Sequence, residues 1–370
     1  MQLHIVTLNI PYPPDYGGMI DTFYRIQALH ILGVRIHLHC FEYGRQHPKE
    51  LEALCETTNY YPRKTGLLSH LSLIPFIVSS RKSNRLLANL LKDDHPILFD
   101  GLHSTSHINH PALSERKKVV RLHNIEHNYY NNLANNETNL LKRAYYFLES
   151  VKLRRYEKVL KKADYILPIS DNDNEYFKNK YHTSVILFPF HPFSKPESLP
   201  GNGDYIIYHG DLSVNENAAV ADSLISNVFT KIPFRCIIAG KDPPESLKSH
   251  AANFTNITIV SNPEGEKMRE LIANAHINLL PALSSNGFKL KLLFALYEGR
   301  HCLVNTLVED DIAIKRLCHV ANSNEEMINK VQELMNRSFT DEMISERRKV
   351  LSENFDVAEN AKKLVKLIFE

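Results

Sequence analysis

The chain has 370 residues, 43% of them hydrophobic and 23% charged, and a formal net charge of +2. A chain of this length is expected to form about two domains rather than one core. Its near-neutral balance argues against nucleic acid as a partner, and its composition is that of an ordinary globular protein.

The apolar run 3–8, "LHIVTL", reads as a buried first strand. Residues 9–26, "NIPYPPDYGGMIDTFYRI", follow it. Three prolines block regular structure, Gly17-Gly18 comes next, and a helical pattern runs from about Met19 to Leu32, where Gly33 stops it. A glycine pair there lets the backbone approach a ligand closely while the free N–H groups of the helix start point the same way, an arrangement that can cradle phosphate. The same pair also serves as a tight strand-to-helix connection. The chain has no G-x-G-x-x-G, so a dinucleotide fingerprint is not supported.

Further strands are expected at 34–41, with Val34, Ile36, Leu38 and Cys40 on one face, and at 97–102, 118–123 and 164–169. A long helix is expected from about Asn139 to Lys162. This alternation predicts a mostly parallel sheet with helices on both faces. The rhythm repeats in "DYIIYHG" (204–210), "FRCIIAG" (234–240), "NITIV" (256–260), "HINLLP" (276–281) and "HCLV" (301–304). Between the halves, "PFHPFSKPESLPGNGD" (189–204) can propagate neither a helix nor a central strand. The expected organisation is therefore an N-terminal domain 1–188, a linker 189–204 and a C-terminal domain 205–355. A last helix, about 356–370, has Asp356 as N-cap and an apolar stripe of Val357, Ala361, Leu364 and Ile368, and the N-terminal domain is a candidate for it to pack on. A cleft between two such domains is a common ligand site, with strand C-terminal ends facing it.

The five cysteines are scattered without a C-x-x-C pair, so they read as small core side chains rather than a zinc site or a disulfide framework. The first residues enter a strand without the pattern of a secretory signal, and no apolar run reaches the ~20 residues that span a bilayer. A cytoplasmic location is expected.

The richest stretch is 284–300, "SSNGFKLKLLFALYEGR". Lys289 and Lys291 flank a helix start, where the helix end is itself positive and cations are unfavourable. The pair makes better sense with an anion nearby, and Gly287 just before it points the same way. The alternative is that both lysines are solvated surface residues.

This segment resembles the donor-binding motif of GT-B retaining glycosyltransferases of the family-4, "group 1" type. Other stretches match that pattern in order. "PYPPDYGG" resembles the Gly17-Gly18 loop near donor diphosphate and acceptor. "VVRLHNIEHNYY" (119–130) resembles the strand that delivers a histidine, here His123, toward the donor sugar. "LRRYEKVLKKADYILPISDNDNEYF" (153–177) resembles the helix and strand ending in a serine, here Ser170. "YIIYHGDLSVNENAAV" (205–220) resembles the glycine turn, here Gly210, that opens the C-terminal domain. The resemblance implies an α/β GT-B fold of two Rossmann-like, doubly wound domains facing a central cleft. It also implies a hexosyl transfer with retention and without a bound metal or other cofactor, the nucleotide diphosphate sugar being a substrate.

On the same resemblance, Lys289, Lys291, Gly17, Gly18 and Gly210 meet the donor diphosphate, and His123 and Lys291 carry catalysis. Asn286, Gly287, Phe288 and Phe294 lie at the donor sugar and ribose, and Glu126 and Ser170 are further cleft candidates. The chain departs from the pattern at two points. Asn286 and Phe294 stand where many family members carry glutamates for the donor sugar and the ribose. Asp211 and Asn217 replace an Arg and a Lys often found after the second glycine turn.

Rival readings remain open. Asp171-Asn172-Asp173 has the D-x-D form with which GT-A enzymes hold a divalent ion, although Ser170 and Asp171 are equally natural helix caps. His123, Glu126 and His127 could form a metal cluster or a polar network, and no metal is assigned. Residues 66–91 and 142–162 mix apolar and basic residues, which suits either a core helix with a solvated face or peripheral contact with the inner face of a membrane. The partners expected are a nucleotide-sugar donor and a saccharide or lipid-linked acceptor. A binding protein that kept the fold without turnover, and a sugar-nucleotide epimerase, are the alternatives to a transferase. The oligomeric state is not legible.

Overall fold

The computed structural model describes residues 1–70, 72–283, 288–308 and 312–370. The chain divides into two compact units, one holding Met1–Pro192 and Val357–Glu370, the other Phe193–Ser285 and Lys289–Asp356.

The first unit is a sheet of six parallel strands: β1 (Gln2–Thr7), β2 (Arg35–Glu42), β3 (Thr57–Pro62), β4 (Ile97–Asp100), β5 (Lys118–Leu122) and β6 (Tyr165–Pro168). Their spatial order is β3-β2-β1-β4-β5-β6, so the winding reverses between β1 and β4. Ligands bind outside the carboxyl ends of strands at such a reversal.

Helix α1 (Gly17–Ile31) begins two residues earlier than the sequence pattern suggests, because Gly17-Gly18 form its first turn instead of a loop before it. Neither glycine has a left-handed φ. After β5 come α2 (Glu126–Asn136) and α3 (Leu140–Tyr156), the latter shorter than expected because Glu157–Lys162 tighten into a 3-10 helix. Helix α4 (Asp171–Tyr181) follows β6.

Alternation along the strands builds two cores. Ile36, Leu38 and Cys40 pack with Leu3, Ile5 and the α1 residues Ile26 and Leu29 on one face, whereas Val6, Phe41, Phe99 and Val120 pack on the other.

The second unit repeats the design with β7 (Tyr205–Asp211), β8 (Arg235–Lys241), β9 (Ile257–Ser261), β10 (Ile277–Leu279), β11 (His301–Val304) and β12 (His319–Val320), in the order β12-β11-β10-β7-β8-β9. Helix α5 (Asn215–Asn227) follows β7, and α6 (Leu290–Glu298) lies between β10 and β11. At the carboxyl ends of β7 and β8, Gly210 is paired with Gly240. A Cβ on Gly240 would lie 1.9 Å from the Gly210 carbonyl oxygen, so only glycine allows these two turns to lie side by side.

The C-terminal helix α7 (Val357–Phe369) belongs to the first unit, where Ala361, Leu364 and Ile368 join the core on the α1 side of the sheet. All five cysteines are free thiols, with Cys40, Cys236 and Cys302 buried. Among the described residues, no helix is long and apolar enough to cross a membrane.

Candidate functional site

Two clusters stand at strand carboxyl ends, one in each unit. In the first unit, α1 and strands β4 and β5 bring together four fully buried charges. Arg25 bridges Asp21 (2.6 Å) and Asp100 (2.7 Å), and Arg121 holds Asp21 at 2.7 Å. Arg121 also donates to the Leu187 carbonyl, and the Phe190 amide donates to Asp21 at 2.9 Å. Thr22 donates to Asp100 at 2.5 Å. The two carboxylates and two guanidiniums cancel, which is the condition for burying such groups at tolerable cost.

Burial pushes the Asp100 carboxyl up, but the charge of Arg25 and the hydrogen bonds from His123 and Thr22 outweigh it and hold the group below the ordinary carboxylate range. His123, just past β5, rests its Nε2 on this platform 3.2 Å from Asp100, with Nδ1 4.0 Å from Asp21. Its ring keeps a small exposed surface. The network therefore fixes the orientation of the histidine whose role the resemblance implies.

Asp21, Asp100 and His123 are also the one group of three ligating side chains whose ligand atoms lie within 4.8 Å of one another among the described residues. A divalent ion there would have to displace or face two guanidiniums already bound to the same carboxylates. The chemistry of the set is that of an ion-pair network, and it does not fit a metal centre.

Beside it, Glu126 opens α2. Burial, reinforced by the Asp173 carboxylate, pushes its carboxyl up to about 8, with Arg81 opposing the shift. His103 stands 3.8 Å away, and its Nδ1 is buried without a hydrogen-bond partner among the described residues. Ser170 caps α4 by accepting from the Asp173 amide at 3.3 Å. Asp171 and Asp173 thus occupy the first turn of that helix, where acidic residues complement the helix dipole. His127 lies apart from His123 in function: it pairs with Glu157 at 3.0 Å, which also accepts from Lys180, Tyr176 and Tyr181. That is a packing network behind α2.

In the second unit, Lys291 lies in the first turn of α6, with Lys289 as the residue preceding the helix. The Lys291 ammonium donates to Asn217 Oδ1 (3.1 Å) and Tyr208 Oη (3.2 Å) and lies 4.8 Å from the centre of the Tyr208 ring. Asn217 in turn donates to the Asp211 carbonyl at 2.9 Å and lies alongside Gly210. Burial, with the charge of Lys289 added, lowers the Lys291 amine to about 8, against the pull of Glu216. His209 lies one residue before Gly210, and burial and Lys291 lower it to about 3. Its Nε2 is buried without a partner among the described residues.

Gly17 and Gly18 stand at the start of α1, and a Cβ on Gly18 would make only an ordinary 3.7 Å contact with the Tyr16 ring. Phe288 is half-buried next to Lys289, and Phe294 packs edge-on against Phe193 at 4.7 Å. Asn286 and Gly287 lie outside the described residues. Sequence reasoning missed the Asp21–Arg25–Asp100–Arg121 network, His103 and His209. Two signals were available: an arginine inside the apolar strand "KVVRL", and an Asp–Arg pair at i, i+4 on an otherwise core-facing helix.

No family model matches the chain. A curated relative, described as an uncharacterized 44.6 kDa protein in the cps region of Klebsiella pneumoniae, is 24% identical over 311 residues, 79% of each chain. Among solved structures, the sucrose-phosphate synthase from Thermosynechococcus elongatus matches at a TM-score of 0.72 with 13% identity, covering 99% of this chain and 98% of that one. WaaG, a glycosyltransferase involved in lipopolysaccharide biosynthesis, matches at 0.66 with 13% identity and 99% of both chains. HepE from Anabaena, in complex with UDP and glucose, matches at 0.66 with 12% identity, 99% of this chain and 98% of that one. These are two-domain glycosyltransferase structures matched end to end, and the fold of this chain is GT-B.

Proposed function

We propose that the protein is a glycosyltransferase that moves a hexosyl group from a nucleotide diphosphate donor to a saccharide or lipid-linked acceptor, with retention and without a bound metal. The observation that carries this reading is the Lys291 ammonium, held by Asn217 and Tyr208 beside the Gly210 turn. A half-buried cation at a helix start is unfavourable by itself, and an anion would repay its cost. The HepE structure, which holds UDP and glucose, supports the donor class by analogy of fold.

In the proposed reaction the bond from the anomeric carbon to the diphosphate oxygen breaks, and the acceptor oxygen takes its place on the same face. The acceptor proton leaves with the diphosphate. Lys291, with Lys289 near it, would stabilise the charge that builds on the leaving diphosphate. His123, held by Asp100, would orient the donor sugar. Calorimetric titration of UDP, GDP and dTDP in excess EDTA tests the reading. One of them should bind, and Lys291→Ala should weaken it. Binding that appears only when magnesium or manganese is restored would overturn metal independence.

A second reading has one observation in its favour. Phe294, where the resemblance puts a ribose-binding carboxylate, packs its ring on Phe193. A nucleotide-sugar-binding protein without turnover would show donor binding but neither transfer nor donor hydrolysis across a broad acceptor panel.

A further inference from the structure

The helix α3 carries apolar residues on both sides. Its buried side is Glu149, Ser150 and Leu153. At 100° per residue, Leu140, Leu141, Phe147 and Leu148 fall on the opposite side, within an arc of about 120°. They are 76%, 84%, 54% and 59% exposed. Four large apolar side chains exposed together on one face of a single helix mark an interaction surface.

The charges flanking the stripe are mainly positive, with Glu137 just before the helix start and Asp164 past its end as the acidic neighbours in sequence. Arg143, Arg154 and Arg155 flank it, and Lys158, Lys161 and Lys162 continue the basic run past the helix end, all of them exposed. The acidic residues of 138–163 are Glu149 and Glu157, and both are buried and paired with cations. Asn139 caps the helix by accepting from the Leu141 and Lys142 amides at 3.1 Å, so the stripe is held on a rigid element.

We infer that this face of α3 docks the protein on a bilayer that contains anionic phospholipid. An apolar stripe flanked by arginine and lysine is the pattern that inserts side chains at the headgroup boundary while the cations meet lipid phosphates. A second copy of the chain would bring the same positive charges face to face. The inference stands apart from the transfer reaction and is tested without it.

The test is co-sedimentation with vesicles of phosphatidylcholine alone and of phosphatidylcholine mixed with phosphatidylglycerol. Binding is expected to the mixed vesicles and to fall as salt shortens the screening length. Arg154→Glu with Arg155→Glu should weaken it by roughly 30-fold or more. Leu141→Ser with Phe147→Ser should weaken it comparably, and melting temperature should hold in both because the residues are exposed. Equal sedimentation of wild type and both variants, or no binding to the mixed vesicles at low salt, would overturn the inference. A wild-type dimer by light scattering that the Leu141/Phe147 variant makes monomeric would assign the face to a second copy instead.

Discussion

The Lys291 ammonium lies 3.1 Å from the Asn217 side-chain oxygen, so two residues 74 positions apart meet beside the Gly210 turn. Asn217 stands where the resemblance would place a basic residue. The positive charge reaches the turn from α6 instead of from the first turn of α5. A hydrogen bond to a charged group contributes about 1.5–3 kcal/mol. Lys291→Ala should therefore weaken nucleotide diphosphate binding by about 10- to 150-fold. The free nucleoside, which offers no phosphate, should bind both proteins alike. Unchanged diphosphate affinity in a folded variant would remove the main support for a phosphate site at α6.

The lowered amine gives that prediction a pH signature. With Lys291 titrating at about 8 in the free protein, diphosphate affinity should be flat below that value and fall as pH rises through it. The sign for stability is the reverse. A lysine whose folded value lies below its ordinary 10.5 destabilises the native state at neutral pH, because the unfolded chain binds the proton more tightly. Lys291→Met should raise stability by roughly 1–3 kcal/mol while abolishing the pH step in binding. A variant that loses both binding and stability would show that Lys291 is structural.

The buried network in the first unit should be unforgiving. Asp21 accepts from Arg25, Arg121 and the Phe190 amide, so Asp21→Asn would leave two guanidiniums with one carboxylate. Removing one partner of a buried ion pair costs about 3–5 kcal/mol. Urea unfolding should show a loss in that range, and a loss under about 1 kcal/mol would mean that water or relaxation reaches the cluster.

These features differ in how far the sequence discloses them. Both sheets are legible because a strand covered on two faces is apolar along its whole length, as "LHIVTL" and "YIIYHG" are. The edge strand β3, "TTNYYP", and the two-residue β12 lack that signature and are visible only once their neighbours are in place. Lys291 is legible because a cation at a helix start breaks a local rule. Arg25 and Arg121 are legible only as anomalies. The i, i+4 spacing pairs Arg25 with Asp21, but Asp100 lies 75 positions from Arg25 and Asp21 lies 100 from Arg121, and no local pattern joins those.

The glycine pair in α1 offers a test with opposite expectations for folding and binding. Gly18 lies in the first turn with an ordinary φ, and a Cβ there would make only normal contact with Tyr16. Gly18→Ala should leave stability unchanged or raise it by about 0.4–1 kcal/mol through the unfolded state. If a ligand approaches this turn closely, the same methyl should cost about 1–3 kcal/mol in affinity for donor or acceptor. Full transferase or binding activity in the alanine variant would leave the pair with a connecting role only.

Acid stability turns on a chain of hydrogen bonds at the other end of the first sheet. Asn89 donates to Tyr61 Oη (2.8 Å), Tyr61 contacts His39 Nδ1 (2.7 Å), His39 Nε2 contacts His4 Nδ1 (2.8 Å), and His4 Nε2 contacts Asp93 (2.8 Å). With both imidazoles neutral, one proton arrangement satisfies every link, and in it each group donates toward Asp93. An added proton on His4 would force His39 into its other tautomer and leave the Tyr61 hydroxyl hydrogen without an acceptor in the chain of bonds. Burial lowers His4 to about 4, against the pull of Asp93, and lowers His39 well below its ordinary value, with His4 adding to the shift. A histidine lowered in the folded state leaves stability intact above its unfolded value and subtracts from it as pH falls below that value. Between about pH 7.5 and about pH 5.5 the two histidines together should remove about 3 kcal/mol, because the unfolded chain takes up two protons that the native one refuses. His4→Phe with His39→Phe should flatten the pH dependence of urea unfolding by that amount. If the double variant keeps the wild-type slope, the acid sensitivity lies in other histidines, of which His209, His301 and His319 are also lowered by burial.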